Sequence, residues 1–488
     1  MKTNQFLRRL IYLIPLLLLV CFSGCGEKRD SSEEDSLPNI LFIMTDQQYA
    51  GMMSCTGNAY LKTPALDRLA ASGMRFELAY SPNPVCVPSR TSMVTGYFPS
   101  AFGVTHNRDA RDAVIPDRIL ENTMGKLMKR AGYRCIYGGK IHWSRGLDME
   151  NSGFEDLTRD EREGLAEKCA EFFHSKPEEP FFMVASFINP HDICYVEIDA
   201  TIDYYGLPEF APKHKVERQK VAEAVQLAEE ARLAGVYDSL CPPLKANFAL
   251  TENVPGILYA NLRPEPAGDP KASDVYYYMN DHVRNNWTEE DWRLHHWIYH
   301  RLTEDVDRQI GTVLNALQES GLDKNTIIVF TSDHGDMDGS HRMVHKTQFY
   351  EEAARVPFIV AGPGITCGVD RQHLVSASLD LIPTFCDFAG IEIPEGVHGL
   401  SIKPLTMGQA PDNWRDFVVS ETDLGRMVRS ARYKYCQYKG GEPREMLIDM
   451  EKDPGEMKNL AGIQEYENVL AGHRRMLDEW ISRNSHGF

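Results

Sequence analysis

From Asn39 onward the chain alternates short, mostly apolar runs with longer stretches of helical period. Ile40–Met44, Tyr133–Tyr137, Pro180–Phe187, Thr326–Phe330 and Val356–Val360 have the length and composition of buried strands. The clearest helix starts near Trp292. It places Leu294, Trp297, Ile298, Leu302, Val306, Ile310, Val313, Leu314 and Leu317 on one face, with Gly321 just past its end. Strands alternating with helices predict an α/β fold with a mostly parallel sheet between helices. In such folds ligands sit beyond the carboxyl ends of the strands. The stretch from about 193 to 292 has the character of an insertion. Within it, Lys215–Arg232 is rich in Lys, Glu, Ala and Gln and predicts an exposed helix. After about Pro411 the pattern changes. Phe417–Ser420, Met427–Ser430, Lys434–Tyr438 and Met446–Asp449 are strand-like runs without long helices between them. They predict a small antiparallel sheet, closed by a helix from about Tyr466 to Ser482. The expected organisation is a main domain over 37–410 and a C-terminal subdomain over 411–488.

The first residues read as a targeting segment. Lys2, Arg8 and Arg9 precede an apolar run from Leu10 to Phe22, which is too short to span a bilayer comfortably. Phe22-Ser23-Gly24-Cys25 resembles a bacterial lipobox. This implies a lipoprotein signal peptide over 1–24, lipidation at Cys25 and a polar linker over 25–36. The expected location is outside the cytoplasm, held by a lipid anchor in the periplasm or at the outer cell surface. Acidic residues outnumber basic ones, 70 to 52, for a net charge of −18, which argues against a nucleic-acid partner. An anionic substrate would need a local cluster of cationic groups. The eleven Cys show no CxxC pair, so most are expected to be buried small hydrophobes rather than zinc ligands.

The sharpest chemical signal is Cys86-Val87-Pro88-Ser89-Arg90, followed by Thr91 and Gly96. Ser89–Thr95 can form a short helix ended by Gly96. Residue 86 then stands at its N-terminus, where backbone N–H groups and the helix dipole favour an anion. Alone, the run could be a buried Cys before a Pro-initiated helix. Asp46-Gln47 closes the first predicted strand and Asp333-His334 the fourth, and a parallel sheet would bring the two pairs together. Two carboxylates, an amide oxygen and an imidazole suit a divalent cation, whereas a lone strand-end Asp more often caps a helix or turn. Gly139-Lys140-Ile141-His142 follows the second strand and Pro190-His191 the third. Lys346 lies downstream of Asp333, followed by Tyr350-Glu351-Glu352 and Arg355-Val356-Pro357. Any one of these is ordinary in a solvated loop. Convergence at one end of the sheet is less easily accidental.

The Cys86–Arg90 run resembles the sulfatase signature C-x-P-S-R, read by enzymes that oxidise Cys to formylglycine. The resemblance to formylglycine-dependent sulfatases of the alkaline phosphatase superfamily covers nearly the whole mature chain, including Leu447-Ile448-Asp449, Asp453-Pro454-Gly455-Glu456 and Asn459-Leu460-Ala461. The combination of Asp46-Gln47, Asn189-Pro190-His191-Asp192-Ile193-Cys194 and Asp333-His334 is similar to bacterial glycosaminoglycan-type sulfatases, including uronate 2-O-sulfatases. Gln47 stands where many members have a second Asp, and His334 where many have Asn.

The resemblance implies an alkaline-phosphatase-like fold. It also implies that Cys86 becomes formylglycine (3-oxoalanine) and that Asp46, Gln47, Cys86, Asp333 and His334 surround a divalent cation, commonly calcium. In such a site one hydroxyl of the hydrated aldehyde attacks sulfur and the other expels sulfate. Arg90 would orient residue 86, and Lys140 and Lys346 would stabilise sulfate oxygens. His191 would protonate or polarise the leaving alcohol and His142 would take the proton that triggers release; sequence leaves these two roles exchangeable. The implied partners are a sulfated small molecule or glycan and a formylglycine-generating maturation enzyme. A sulfated sugar is the favoured substrate, with a terminal 2-O-sulfated uronate first. Tyr195, Tyr204, Tyr205, Tyr237, Tyr276, Tyr277 and Tyr278 in the insertion could serve sugar rings or ordinary packing. Two rival readings are a phosphonate or phosphodiester hydrolase of the same superfamily and a non-catalytic glycan-binding lipoprotein.

Overall fold

The computed structural model describes residues 37–206, 215–253, 255, 275–409 and 411–484. The leader expected over 1–24, Cys25 and the linker over 25–36 lie outside these residues, as do the side chains of Tyr276, Tyr277 and Tyr278.

The strands of the larger, N-terminal part are β1 (Asn39–Asp46), β2 (Gly73–Phe76), β3 (Ala79–Tyr80), β4 (Arg134–Gly139), β5 (Glu155–Thr158), β6 (Phe181–Pro190), β7 (Thr326–Ser332), β8 (Phe358–Ala361), β9 (Gly368–Asp370) and β10 (Val375–Ser376). The C-terminal strands are β11 (Phe417–Glu421), β12 (Gly425–Ser430), β13 (Tyr433–Tyr438) and β14 (Glu445–Asp449). The main sheet has eight strands in the order β5-β4-β6-β1-β7-β8-β2-β9; β3 pairs with β10. The five expected runs are β1, β4, β6, β7 and β8. The sheet is parallel from β5 through β7, but β8 runs antiparallel to both its neighbours. A parallel return needs a crossover, usually a long helix. Between β7 and β8 the only α-helix is the single turn Glu351–Ala354.

β1 is central and buried along its whole length. Leu41 and Ile43 pack against the helices Pro64–Ala71, Leu165–His174 and Glu289–Ser320. Phe42 and Met44 point to the other face, beside Met93, Val94 and Met124. The result is a helix–sheet–helix sandwich. The longest helix begins at a Thr288–Asp291 capping box and ends at Gly321, whose φ of 79° lies in the left-handed region a C-cap requires.

The helix Lys215–Leu233 is less exposed than its composition suggests. Ala224, Ala228 and Ala231 are buried against Trp297, Ile298 and Leu302 of the long helix. A stripe of alanines at helical spacing allows close approach, and the many Lys and Glu on the other faces hide it from a compositional reading.

The C-terminal sheet is antiparallel in the order β11-β12-β13-β14. Its residues alternate between two cores. Val419, Val428, Tyr435 and Leu447 meet the helix Glu467–Asn484. Val418, Met427, Cys436 and Met446 meet Met337, Met343, Phe349 and Tyr350 from the segment after β7. This sheet therefore backs the segment that carries Lys346. Of the cysteines described, Cys86, Cys135, Cys169, Cys194, Cys241, Cys386 and Cys436 are buried and Cys367 is exposed. No helix among the described residues is long and apolar enough to cross a membrane.

Candidate active site

β4, β6, β1 and β7 lie side by side and end at the same edge. Asp46 is the last residue of β1, and Thr45 pairs with Ser332, so Asp333 emerges beside it. Lys140 follows β4 and His191 follows β6. Gly139 has φ 88°, and a Cβ there would fall 2.1 Å from the Ser186 carbonyl oxygen. Only glycine lets the chain turn this close to β6, where Lys140 N donates to Ser186 O at 2.9 Å. Gln47 is held in the left-handed region (φ 69°). Its N–H donates to Asp333 Oδ1 at 3.2 Å and its carbonyl accepts from the Tyr299 hydroxyl. Such strain persists where surrounding structure enforces it, and it clusters at functional sites.

The signature helix spans Cys86–Thr95 and ends at Gly96 (φ 80°). It starts three residues before the expected Ser89 and carries Cys86 in its first turn. Cys86 and Arg90 stand one turn apart on the same face. Every residue of this helix is buried, Arg90 included.

The geometry is a closed charge network. Arg90 Nε donates to Asp333 Oδ2 at 2.6 Å and Nη2 to Asp46 Oδ2 at 2.9 Å. Its Nη1 donates to Lys140 O at 3.0 Å and to Ser186 Oγ at 2.9 Å. Lys140 Nζ lies 2.6 Å from Asp46 Oδ2. Lys346 Nζ donates to Gln47 Oε1 at 2.8 Å and to Cys86 Sγ at 2.9 Å. His334 Nε2 is 3.1 Å from the same sulfur. His334 Nδ1 lies 2.8 Å from the carbonyl oxygen of Gly335 and donates to it, so Nε2 is the nitrogen that faces Asp46 (3.8 Å) and Asp333 (3.6 Å), and its lone pair is free for a cation once its proton is displaced. That tautomer is the one a cation requires. Donor atoms of Asp46, Cys86, Asp333 and His334 all lie within 4.8 Å of one another, and all four residues are buried. The donor set fits a divalent ion.

The electrostatics follow from burial and neighbours. Burial raises the Cys86 thiol, but Lys346, Lys140 and His334 outweigh it, helped by a hydrogen bond with His142, and hold it well below its ordinary value. Burial and Cys86 push Asp46 up; Lys140, His191 and Arg90 overcome them and hold it well below the usual range. Burial and the Asp46 charge push Asp333 up, against His334 and Arg90. Two buried carboxylates whose donor atoms converge with those of Cys86 and His334 offer oxygens to a dication. Burial, then Lys140 and Lys346, lower His191 to about 3.

All the nominated residues within the described chain meet at this point. His142 and His191 both stand near enough to Cys86 to influence its thiol. They differ in setting: His142 is exposed, at φ 51°, while His191 is partly buried beside Cys194, with 3.8 Å between Nδ1 and Sγ. Three participants escaped the sequence reading. Asp336 Oδ2 accepts from Gln47 Nε2 at 2.6 Å, Ser186 supports Arg90, and Tyr299 fixes the Gln47 carbonyl. A density of carboxylates after Asp333 was the available signal for Asp336; Ser186 and Tyr299 had none. Among the insertion tyrosines, Tyr237 is core, packed on Trp297 at 5.3 Å between ring centroids, whereas Tyr204 and Tyr205 are exposed.

Comparison with known proteins gives one answer along the chain. The family described as Sulfatase matches residues 38–391, and N-sulphoglucosamine sulphohydrolase, C-terminal, matches 339–483. A Delta 4,5-hexuronate-2-O-sulfatase of Bacteroides thetaiotaomicron is 32% identical, over 94% of this chain and 91% of its own. An N-acetylglucosamine-6-O-sulfatase of the same organism is 27% identical, over 96% and 90%. The solved structure of a 2-O GAG sulfatase superposes with a TM-score of 0.74 at 30% identity, covering 92% of this chain and 93% of that one.

Proposed function

The chain belongs to the sulfatase family, and from that premise we propose that it removes the 2-O-sulfate of a uronic acid at the non-reducing end of a glycosaminoglycan-type saccharide. The family makes it a sulfuric ester hydrolase with an alkaline-phosphatase-like fold. The observation that carries the substrate is its likeness, across nearly the whole chain, to a hexuronate-2-O-sulfatase.

In this reading Cys86 is oxidised by a maturation enzyme, and its Sγ stands where an oxygen of the hydrated formylglycine would lie. That hydrate supplies two hydroxyls, one to attack sulfur and one whose deprotonation expels sulfate. Asp46, Gln47, Asp333 and His334 would hold a divalent cation, calcium by the family's habit, which would lower the pKa of a hydroxyl at residue 86 and neutralise a sulfate oxygen. Arg90 keeps Asp46 and Asp333 at a fixed separation. Lys346, 2.9 Å from Sγ, and Lys140, 2.6 Å from Asp46, are near enough to bind sulfate oxygens as charge develops. His191, neutral in the free enzyme, donates an N–H toward the leaving oxygen. His142, open to solvent, takes the proton from residue 86 and passes it to water. The signal segment and Cys25 support export and lipid anchoring outside the cytoplasm.

The test is released sulfate from a panel of 2-O-sulfated unsaturated uronate disaccharides, 6-O-sulfated hexosamines, choline sulfate, an aryl sulfate and its phosphate and phosphonate analogues. Preference for the 2-O-sulfated uronate is expected. Turnover confined to choline sulfate or the aryl sulfate would overturn the glycan assignment, and faster turnover of phosphate or phosphonate would overturn the reaction class.

A further inference from the structure

Between the long helix Glu289–Ser320 and the turn after β7 lies a second buried cluster that the mechanism does not use. His295 and His296 enter from the helix, Asp338 from the turn, and Glu197 from the helix Cys194–Tyr205; all four are buried. Asp338 Oδ1 lies 2.8 Å from His296 Nδ1 and 3.7 Å from His295 Nδ1. These separations bracket the roughly 3.3 Å edge between donors held at about 2.05 Å around a tetrahedral zinc ion. Donor atoms of all three residues lie within 4.8 Å of one another. On the far side, His295 Nε2 faces Glu197 Oε2 at 3.5 Å. A proton on Nε2 directed at that carboxylate leaves the Nδ1 lone pair turned toward Asp338, which is how an outer carboxylate orients a metal-bound imidazole.

The pairing within the cluster is loose. Neither ring nitrogen of His295 nor Nε2 of His296 makes a well-aligned hydrogen bond; His295 stands 3.7 Å from Asp338 and 3.5 Å from Glu197, and His345 Nδ1 is 3.7 Å from Glu197 Oε1. Buried imidazole and carboxylate atoms this loosely paired leave lone pairs that an ion can take. Lys245 Nζ, 3.0 Å from Asp338 Oδ2, offsets one carboxylate charge, and an ion bound to the His295 and His296 nitrogens would take the place of the proton that His295 holds between Asp338 and Glu197. Two imidazoles and one carboxylate suit a first-row transition ion better than calcium.

We propose that His295, His296 and Asp338 form a second, buried site for a zinc-like divalent ion, oriented by Glu197 and separate from the Asp46–Asp333 site. The ion ties down a strained segment. Asp338, His341, Arg342 and His345 all have positive φ, from 42° to 72°. Asp338 N donates to Asp336 Oδ1 at 2.7 Å, and Asp336 holds Gln47. The site thus fastens the turn between β7 and Lys346 to the long helix.

The test uses the full chain carrying Cys86→Ala, loaded with zinc in excess calcium so that the oxygen-rich site is filled and no thiolate remains there. After gel filtration, elemental analysis should find about one zinc per chain. Asp338→Asn and His296→Gln, each added to Cys86→Ala, should lose it, while Asp333→Asn should keep it. Zinc should raise the melting temperature of the Cys86→Ala chain and not that of the Asp338→Asn chain. Should either variant fail to fold, cobalt replaces zinc in the Cys86→Ala chain, and a visible ligand-field band is expected. Zinc below about a tenth of an equivalent, zinc retained by Asp338→Asn, or no cobalt band would each overturn the proposal.

Discussion

Replacing Arg90 by Ala tests whether the signature arginine acts first as the counter-ion of two buried carboxylates. The guanidinium is 1% exposed and bonds Asp333 at 2.6 Å, Asp46 at 2.9 Å, Lys140 O at 3.0 Å and Ser186 Oγ at 2.9 Å. Its loss is unequal for the two acids. Asp46 keeps Lys140 at 2.6 Å. Asp333 keeps two backbone donors, from Gln47 and His334, both on Oδ1, so Oδ2 loses its charge partner. One effectively orphaned buried charge costs about 3–5 kcal/mol. Native stability is about 5–15 kcal/mol, so the variant should fold but be soft. Arg90→Lys returns a charge that cannot span both carboxylates, and should cost roughly 1.5–3 kcal/mol. Both are measured by urea unfolding in a Cys86→Ala parent, which keeps residue 86 chemically uniform. Without Arg90 the pocket is more negative and binds a dication more tightly, so added calcium should narrow the deficit relative to the parent. An Arg90→Ala variant within about 1 kcal/mol of its parent in chelator would refute the reasoning, because a buried carboxylate cannot lose its hydrogen-bonded charged partner so cheaply.

Three further outcomes are expected. The peptide containing residue 86, from enzyme produced with a maturation system, should carry the mass of formylglycine, and Cys86→Ala should abolish turnover with unchanged circular dichroism; active enzyme containing only the thiol would end that assignment. Chelation should remove activity and calcium restore it, and Asp333→Ala should weaken calcium binding more than Gln47→Ala because it removes a formal charge; calorimetry giving the reverse order would place the ion elsewhere. His191 is lowered to about 3 by burial, Lys140 and Lys346, against 6.5 when free. Between those values the unfolded chain binds the extra proton, so stability rises with pH, and His191→Gln should flatten that rise; identical pH slopes in parent and variant would contradict the buried, neutral state.

How far the sequence reaches is set by which physics is local. Apolar runs of strand length located β1, β4, β6, β7 and β8, because strands covered on both faces need side chains that say so. β2, β5 and β9 are four, four and three residues long, too short for any periodicity to register. The reversed direction of β8 depends on what connects it to β7, which no pattern within β8 records. The candidate site was legible where identity alone carries chemistry: a Cys and an Arg one helical turn apart, carboxylates at strand ends, lysines and histidines after strands. Context decides the rest. His142 and His191 are the same side chain, each near Cys86. One stands exposed on a left-handed residue, and the other is kept neutral by burial, helped by the charges of Lys140 and Lys346. Burial and distant charge separate their chemistry, and both come from elements far along the chain: Lys140 after β4 and Lys346 beyond β7. The same reasoning accounts for Asp338. It reads as one more acid in a polar turn, and its partners, His295 and His296, lie more than forty residues earlier on a helix whose apolar face is all that periodicity can see.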